Sequence, residues 1–175
     1  GGAVLGHVER QVAVALAQAL LGAPRLLLLD EPTTGLDPVL RQESFQIIRE
    51  LTASGTTVLL SSHVLTELEA RTDLAAILRE GRLAAFGDLE ALRRQAGLSV
   101  TVRVQGDAPA IAAKLNGAFH KTMAADRRAL DIDCPQASKM ALLRTLADFG
   151  ELCSDLEVRP PSLDDLYLHF TGRAI

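Results

Sequence analysis

Leu26-Leu27-Leu28-Leu29-Asp30-Glu31-Pro32-Thr33-Thr34-Gly35-Leu36-Asp37-Pro38 runs from an apolar segment, through two adjacent carboxylates, into a helix start. A short leucine run with no helical period reads as a strand over residues 25–30, buried on both faces. Asp30 and Glu31 end it. Successive strand side chains point to opposite faces, so the two carboxylates cannot do the same work. Asp37-Pro38 reads as a helix N-cap followed by proline in the first turn. Leu40, Ile47, Ile48 and Leu51 continue that helix at helical spacing, and Gly55 closes it.

Outward from this stretch, residues 56–61 are β-branched and leucine-rich, a second strand that leads into Ser61-Ser62-His63. The strand–helix–strand unit predicts two parallel strands with the helix on one face. Ligands of open α/β sheets bind at the carboxyl ends of the strands. Asp30, Glu31 and His63 are therefore expected at one edge. One carboxylate there can meet hydrated Mg²⁺, a hard cation that prefers oxygen ligands, and the other can face an attacking water. A bare Asp-Glu usually only starts a loop, and a lone histidine after a strand is usually structural. The whole string, not either part, points to chemistry.

That string resembles the Walker B motif and D-loop of ATP-binding-cassette (ABC) ATPases, in which four apolar residues precede D-E-P-T-x-G-L-D. The resemblance implies an α/β fold, the C-terminal part of a P-loop NTPase core. It implies Asp30 as the carboxylate that holds Mg²⁺ through water, and Glu31 as the general base for the hydrolytic water. Gly35, Leu36 and Asp37 match the D-loop at the nucleotide-binding interface of two cassettes. His63 matches the switch histidine that contacts the γ-phosphate. ATP and Mg²⁺ follow as cofactors, with a second cassette (as a homodimer) and a transmembrane permease subunit as partners. The implied location is cytoplasmic, peripheral on the inner face of the cell membrane.

The departures are as specific. A P-loop needs G-x-x-x-x-G-K-[ST], whose backbone N–H groups and lysine cradle phosphates. The lysines Lys114, Lys121 and Lys139 all follow residues other than glycine, so the sequence carries no Walker A motif. The adenine-stacking loop and the Q-loop region are likewise missing. Ala15-Leu16-Ala17-Gln18-Ala19-Leu20 match the helix after the family's L-S-G-G-Q signature. This places residues 6–10 at the signature, where none fits. A one-residue shift aligns Leu5 and Arg10-Gln11 but leaves Gly6-His7-Val8-Glu9 in place of S-G-G-Q. The resemblance implies an ATPase in full-length form, whereas these 175 residues are expected to be inactive alone. The Gly1-Gly2 start reads as a fragment or processed chain.

Beyond His63, a helix is predicted over residues 64–71, and strands over 74–79 and 82–86 around a Glu80-Gly81 turn. A short helix follows over 88–95 and ends at Gly97. The rhythm changes at Leu98. Strands are expected over 99–104, 119–123, 129–132 and 151–158, with helices over 108–115 and 138–149. In the helix over 138–149, Met140, Leu143, Leu146, Ala147 and Phe149 form the apolar face. Pro160-Pro161 breaks the chain, and Ser162 with Asp165 opens a last helix. The order β-α-β-β-α-β suggests a small α+β ferredoxin-like accessory domain. The expected domains are therefore 1–97, a partial ABC ATPase domain, and 98–175, the accessory domain. Glu80-Gly81-Arg82-Leu83 and Phe86-Gly87 resemble the family's hairpin after the switch histidine. Pro161-Ser162-Leu163-Asp164-Asp165-Leu166-Tyr167-Leu168 resembles the P-S-L-E-D-x-F-L ending of bacterial ABC-2-type exporter ATPases. Residues 89–98, LEALRRQAGL, are similar to the ATPase subunit for copper-site maturation of nitrous-oxide reductase.

A formal net charge of −4 argues against nucleic acid as a partner. The most apolar stretch, residues 12–29, is interrupted by Gln18, Gly22, Pro24 and Arg25, too soon for a membrane span. A membrane role is thus expected through a partner, and no signal peptide is visible. Cys134 and Cys153 show neither C-x-x-C nor zinc spacing and read as reduced thiols. Three functions fit these features. One is a transporter ATPase subunit; another is a soluble ABC protein of translation or repair; the third is a non-catalytic interaction module. Soluble ABC proteins usually carry N-H-L-D wording, so Thr34-Gly35-Leu36-Asp37 favours transport.

Overall fold

The structure, a computed structural model, describes residues 18–19, 22–115, 117 and 119–172. The signature segment (6–10) and most of the helix expected to follow it lie outside the described residues. The chain divides into two compact units, Gly1–Arg71 and Thr72–Ile175.

The first unit contains β1 (Leu26–Asp30), α1 (Pro38–Ala53), β2 (Thr57–Ser61) and the short α2 (Leu65–Glu69). β1 and β2 pair in parallel, with Leu26 opposite Thr57 and Asp30 opposite Ser61, so their carboxyl ends are level. Asp37 starts α1 by accepting from the N–H groups of Val39 and Leu40, and Pro38 occupies the first turn, where its missing N–H costs nothing. Gly55, at φ +99°, turns the chain back toward β2. Among the described residues of this unit, Leu27, Leu36, Phe45 and Ile48 are the buried apolar ones.

The leucine run does not match its expected burial on both faces. Leu27 is buried, but Leu26 is 55% and Leu28 65% exposed, and Leu59 on β2 is 61% exposed. The cause is alternation: α1 packs against one face of the two-stranded sheet, and every second apolar residue points to the other.

In the second unit, β3 (Ala75–Arg79) and β4 (Arg82–Gly87) form an antiparallel hairpin. Glu80 and Gly81 both adopt positive φ, 51° and 75°, the pattern of the tight turn that suits strand twist. α3 (Leu89–Ala96) follows, capped by Asp88 and ended by Gly97 at φ 62°. Then come β5 (Val100–Gly106), α4 (Ala108–Lys114), β6 (His120–Met123), β7 (Ala129–Cys134), α5 (Lys139–Ala147), β8 (Cys153–Arg159) and α6 (Leu163–Thr171). The sheet order is β6-β7-β5-β8, with every neighbouring pair antiparallel. Val100, Val102 and Val104 of β5 join Leu130, Ile132 and Cys134 of β7 in one core with Ile111, Leu142 and Leu146 from the helices. Thr101, Arg103 and Gln105 alternate onto the opposite face.

The compact units divide after Arg71, whereas the sequence suggested a change at 97/98. Contacts made by the last helix account for the difference. α6 packs on α3, β3 and β4, and so ties the hairpin to the chain's end. Its Ser162–Asp165 capping box fixes its start, as read from sequence. In α5 the buried stripe is Leu142 and Leu146, while Met140 is 57% exposed. A 3₁₀ turn over Gln136–Ser138 precedes the helix, and Met140 falls off the stripe. Among the described residues, no helix is long and apolar enough to cross a membrane.

Gly106 has a specific structural duty. It sits at φ 141° beside the register shift between β5 and β8, and an added Cβ would lie 1.9 Å from the Leu152 carbonyl oxygen. Gly106→Ala is expected to destabilise this unit by about 3 kcal/mol through backbone displacement. Urea unfolding followed by circular dichroism checks it; an unchanged midpoint would show that the loop absorbs the methyl group.

Candidate active site

The parallel register brings the end of β1 against the end of β2. The Ser61 hydroxyl donates to Asp30 Oδ1 and accepts from the Glu31 N–H at 3.1 Å. The Glu31 N–H also reaches the Ser61 carbonyl at 3.2 Å. Glu31 itself sits at φ 49°, a left-handed conformation uncommon outside glycine. It is held there from both sides, because Thr34 N–H donates back to the Glu31 carbonyl at 3.2 Å.

The Glu31 side chain then turns toward His63, whose Nδ1 lies 2.8 Å from Oε2. Thr34 Oγ1 donates to the same oxygen at 3.0 Å. Oε2 is thus the anchored oxygen, and Oε1 lies outside these bonds. The pair is open to solvent, with the His63 side chain 69% and that of Glu31 35% exposed. The hydrogen bond from His63 holds the Glu31 carboxyl below its ordinary range; partial burial opposes this and Thr34 reinforces it. Glutamate is ionised at neutral pH in any case, and the lowered value makes this carboxylate a weaker base than a free one.

This lowered value gives a pH test. Stability from the Glu31 contacts is present above the ordinary glutamate value and is lost as pH falls through the lowered one. His63→Ala is expected to raise the Glu31 titration midpoint toward the ordinary range, and Thr34→Val to raise it less. Carboxyl ¹³C NMR measures both, and an unmoved midpoint in His63→Ala would refute the assigned cause.

The expected D-loop residues share the loop after Glu31 and shape the fold there. Gly35, at φ 79°, makes the turn; Leu36 is buried; Asp37 Oδ1 caps α1. Asp30, Glu31 and His63 are the expected residues that the structure gathers. Sequence reasoning gave no role to Thr34 and none to Ser61 beyond fitting a pattern. Only the level pairing of Asp30 with Ser61 shows why a hydroxyl there matters. Among the described residues, no three His, Cys, Asp or Glu side chains cluster as a metal cage. Asp30 still suits Mg²⁺, which characteristically takes one or two carboxylates plus water and phosphate. Cys134 and Cys153 are free, and burial pushes both thiols up.

Comparison with known proteins bears on this site. A daunorubicin resistance ATP-binding protein, DrrA3 of Streptomyces coeruleorubidus, is 37% identical over 166 residues, covering 90% of this chain and 51% of that protein. A Nod factor export ATP-binding protein I, from Rhizobium johnstonii, is 35% identical over 170 residues, covering 96% of this chain and 52% of that one. The chain is homologous to ABC transporter ATP-binding subunits. It spans about half the length of these relatives. The family described as "AAA domain, putative AbiEii toxin, Type IV TA system" matches residues 9–69, which include β1, β2 and the site. A solved ATP-binding subunit of an ABC transporter is 40% identical over a match covering 43% of this chain and 31% of that chain, with a TM-score of 0.42.

Proposed function

We propose that this chain carries the hydrolytic elements of an ABC exporter ATPase and works as part of a longer assembly that supplies the phosphate-binding loop. The observation that supports it most is the 2.8 Å contact of Glu31 with His63 at the carboxyl edge of a parallel β1–β2 pair. Asp30 would hold Mg²⁺ through water, with its Oδ1 oriented by Ser61. Mg²⁺, when bound, would neutralise charge on the transferring phosphate. Glu31, ionised and anchored through Oε2, leaves Oε1 to take a proton from an attacking water. His63 holds Glu31 in place and stands beside the position the terminal phosphate would take. Gly35, Leu36 and Asp37 would meet a second cassette in a homodimer, and a permease subunit would place the assembly on the inner membrane face.

The relatives' names for drug resistance and Nod factor export support export as the direction. A copper-maturation role rests on the wording of residues 89–98 alone, which form α3 and its cap. The sheet order β6-β7-β5-β8, with α4 and α5 sharing its core face, supports reading 98–175 as a ferredoxin-like accessory domain. The test is ATP turnover by a longer chain that joins an in-frame G-x-x-x-x-G-K-[ST] to this sequence. Magnesium-dependent turnover abolished by Glu31→Gln is expected, and turnover indifferent to that change would overturn the reading.

A further inference from the structure

Arg41 and Glu67 meet within the first unit and have no part in the chemistry above. Arg41 stands in the second turn of α1, and Glu67 stands on α2, which begins just after His63. Arg41 Nη1 donates to Glu67 Oε1 at 2.5 Å, and Nη2 donates to the Leu36 carbonyl at 3.0 Å. One planar guanidinium thus grips the loop that follows Glu31 and the helix that follows His63.

The geometry is costly for a pair that serves stability alone. The side chains are only 33% and 19% exposed, yet Arg41 Nε and Glu67 Oε2 are buried with no hydrogen-bond partner among the described residues. A side-on pairing would satisfy both atoms with two parallel bonds. The guanidinium instead turns Nη2 to a backbone carbonyl of the expected D-loop. The His63 ring, largely exposed, has little packing to fix it. Its placement depends on the backbone that leads into α2.

We propose that Arg41 is a positioning residue: by holding the Leu36 carbonyl and Glu67 at once, it sets the approach of His63 to Glu31. The functional meaning of that approach rests on the hydrolytic reading of the Glu31–His63 pair. The mechanical link does not.

The full 175-residue chain tests the link without nucleotide. Arg41→Met combined with Glu67→Leu replaces both charges by apolar groups of similar size, so neither is left unpaired. Amides of α1 are expected to stay protected, while the Leu36 amide, bonded to the Thr33 carbonyl, exchanges about tenfold faster. The His63 ring Nδ1 resonance at one fixed pH is expected to move toward that of a solvated imidazole. Glu67→Gln keeps an acceptor oxygen for Arg41 and is expected to leave both readouts unchanged. Arg41→Lys lacks the fork that spans two acceptors and is expected to change both. If the double variant unfolds, the contrast between Arg41→Lys and Glu67→Gln decides. Wild-type Leu36 exchange together with a wild-type His63 resonance in Arg41→Lys overturns the proposal. ATP turnover enters none of these measurements, so their failure is separate from failure of the hydrolytic reading, which Glu31→Gln tests.

Discussion

Glu31→Gln is expected to slow ATP hydrolysis by roughly 10²–10⁴-fold in a longer chain that holds a phosphate-binding loop, with nucleotide affinity unchanged. Glutamine has nearly the shape of glutamate. It can accept the Thr34 hydroxyl and bond the His63 ring, so the left-handed turn at Glu31 and its anchoring by Ser61 survive. Proton affinity is what changes. The carboxylate, ionised at neutral pH, can take a proton from water, and an amide cannot. Phosphate release under saturating Mg-ATP measures kcat, and equilibrium binding measures affinity. Normal turnover removes Glu31 from the role of base. Weaker binding at unchanged kcat would make it a ligand-binding group instead.

The gathering of these residues was legible because one connection determines it: a β-α-β crossover brings His63 to the edge where β1 ends. The strand alternation expected to separate Asp30 from Glu31 does not reach Glu31, which leaves β1 in a left-handed conformation at φ 49°. Asp37, Gly55, Glu80-Gly81, Gly97 and Ser162 with Asp165 were legible as local chemistry, since caps and turns depend on few neighbours. Ser61 and Thr34 carried no comparable signal. A hydroxyl at a strand end is common, and its bond to Asp30 depends on a register that no local pattern encodes. The leucine run failed in a related way. Four apolar residues look alike whether one or both faces are covered, so the exposure of Leu26 and Leu28 was invisible. The unit boundary depends on α6 reaching back to β3 and β4, a contact between the chain's end and its middle that composition cannot show.

The 175-residue chain alone is expected to bind Mg-ATP more weakly than about 1 mM and to turn none of it over. Millimolar affinity needs about −4 kcal/mol, which in ATP sites comes chiefly from backbone N–H groups, a P-loop lysine and the metal acting together. The first lysine in the sequence is Lys114, beyond the whole β1–β2 unit. Three arginines among the described residues of that unit are engaged or distant. Arg41 is held by Glu67, Arg71 lies over the Phe45 ring at 4.3 Å, and Arg25 precedes β1, at the end away from Asp30. Asp30 and Glu31 therefore present two negative charges to a polyanion, and that contact is repulsive. The exposed Leu26, Leu28 and Leu59 add a tendency to self-associate, which sedimentation can follow in parallel. Calorimetry with Mg-ATP gives the decisive number: a dissociation constant well below about 1 mM, or steady phosphate release lost in Glu31→Gln, would mean that groups within this chain cradle phosphate after all.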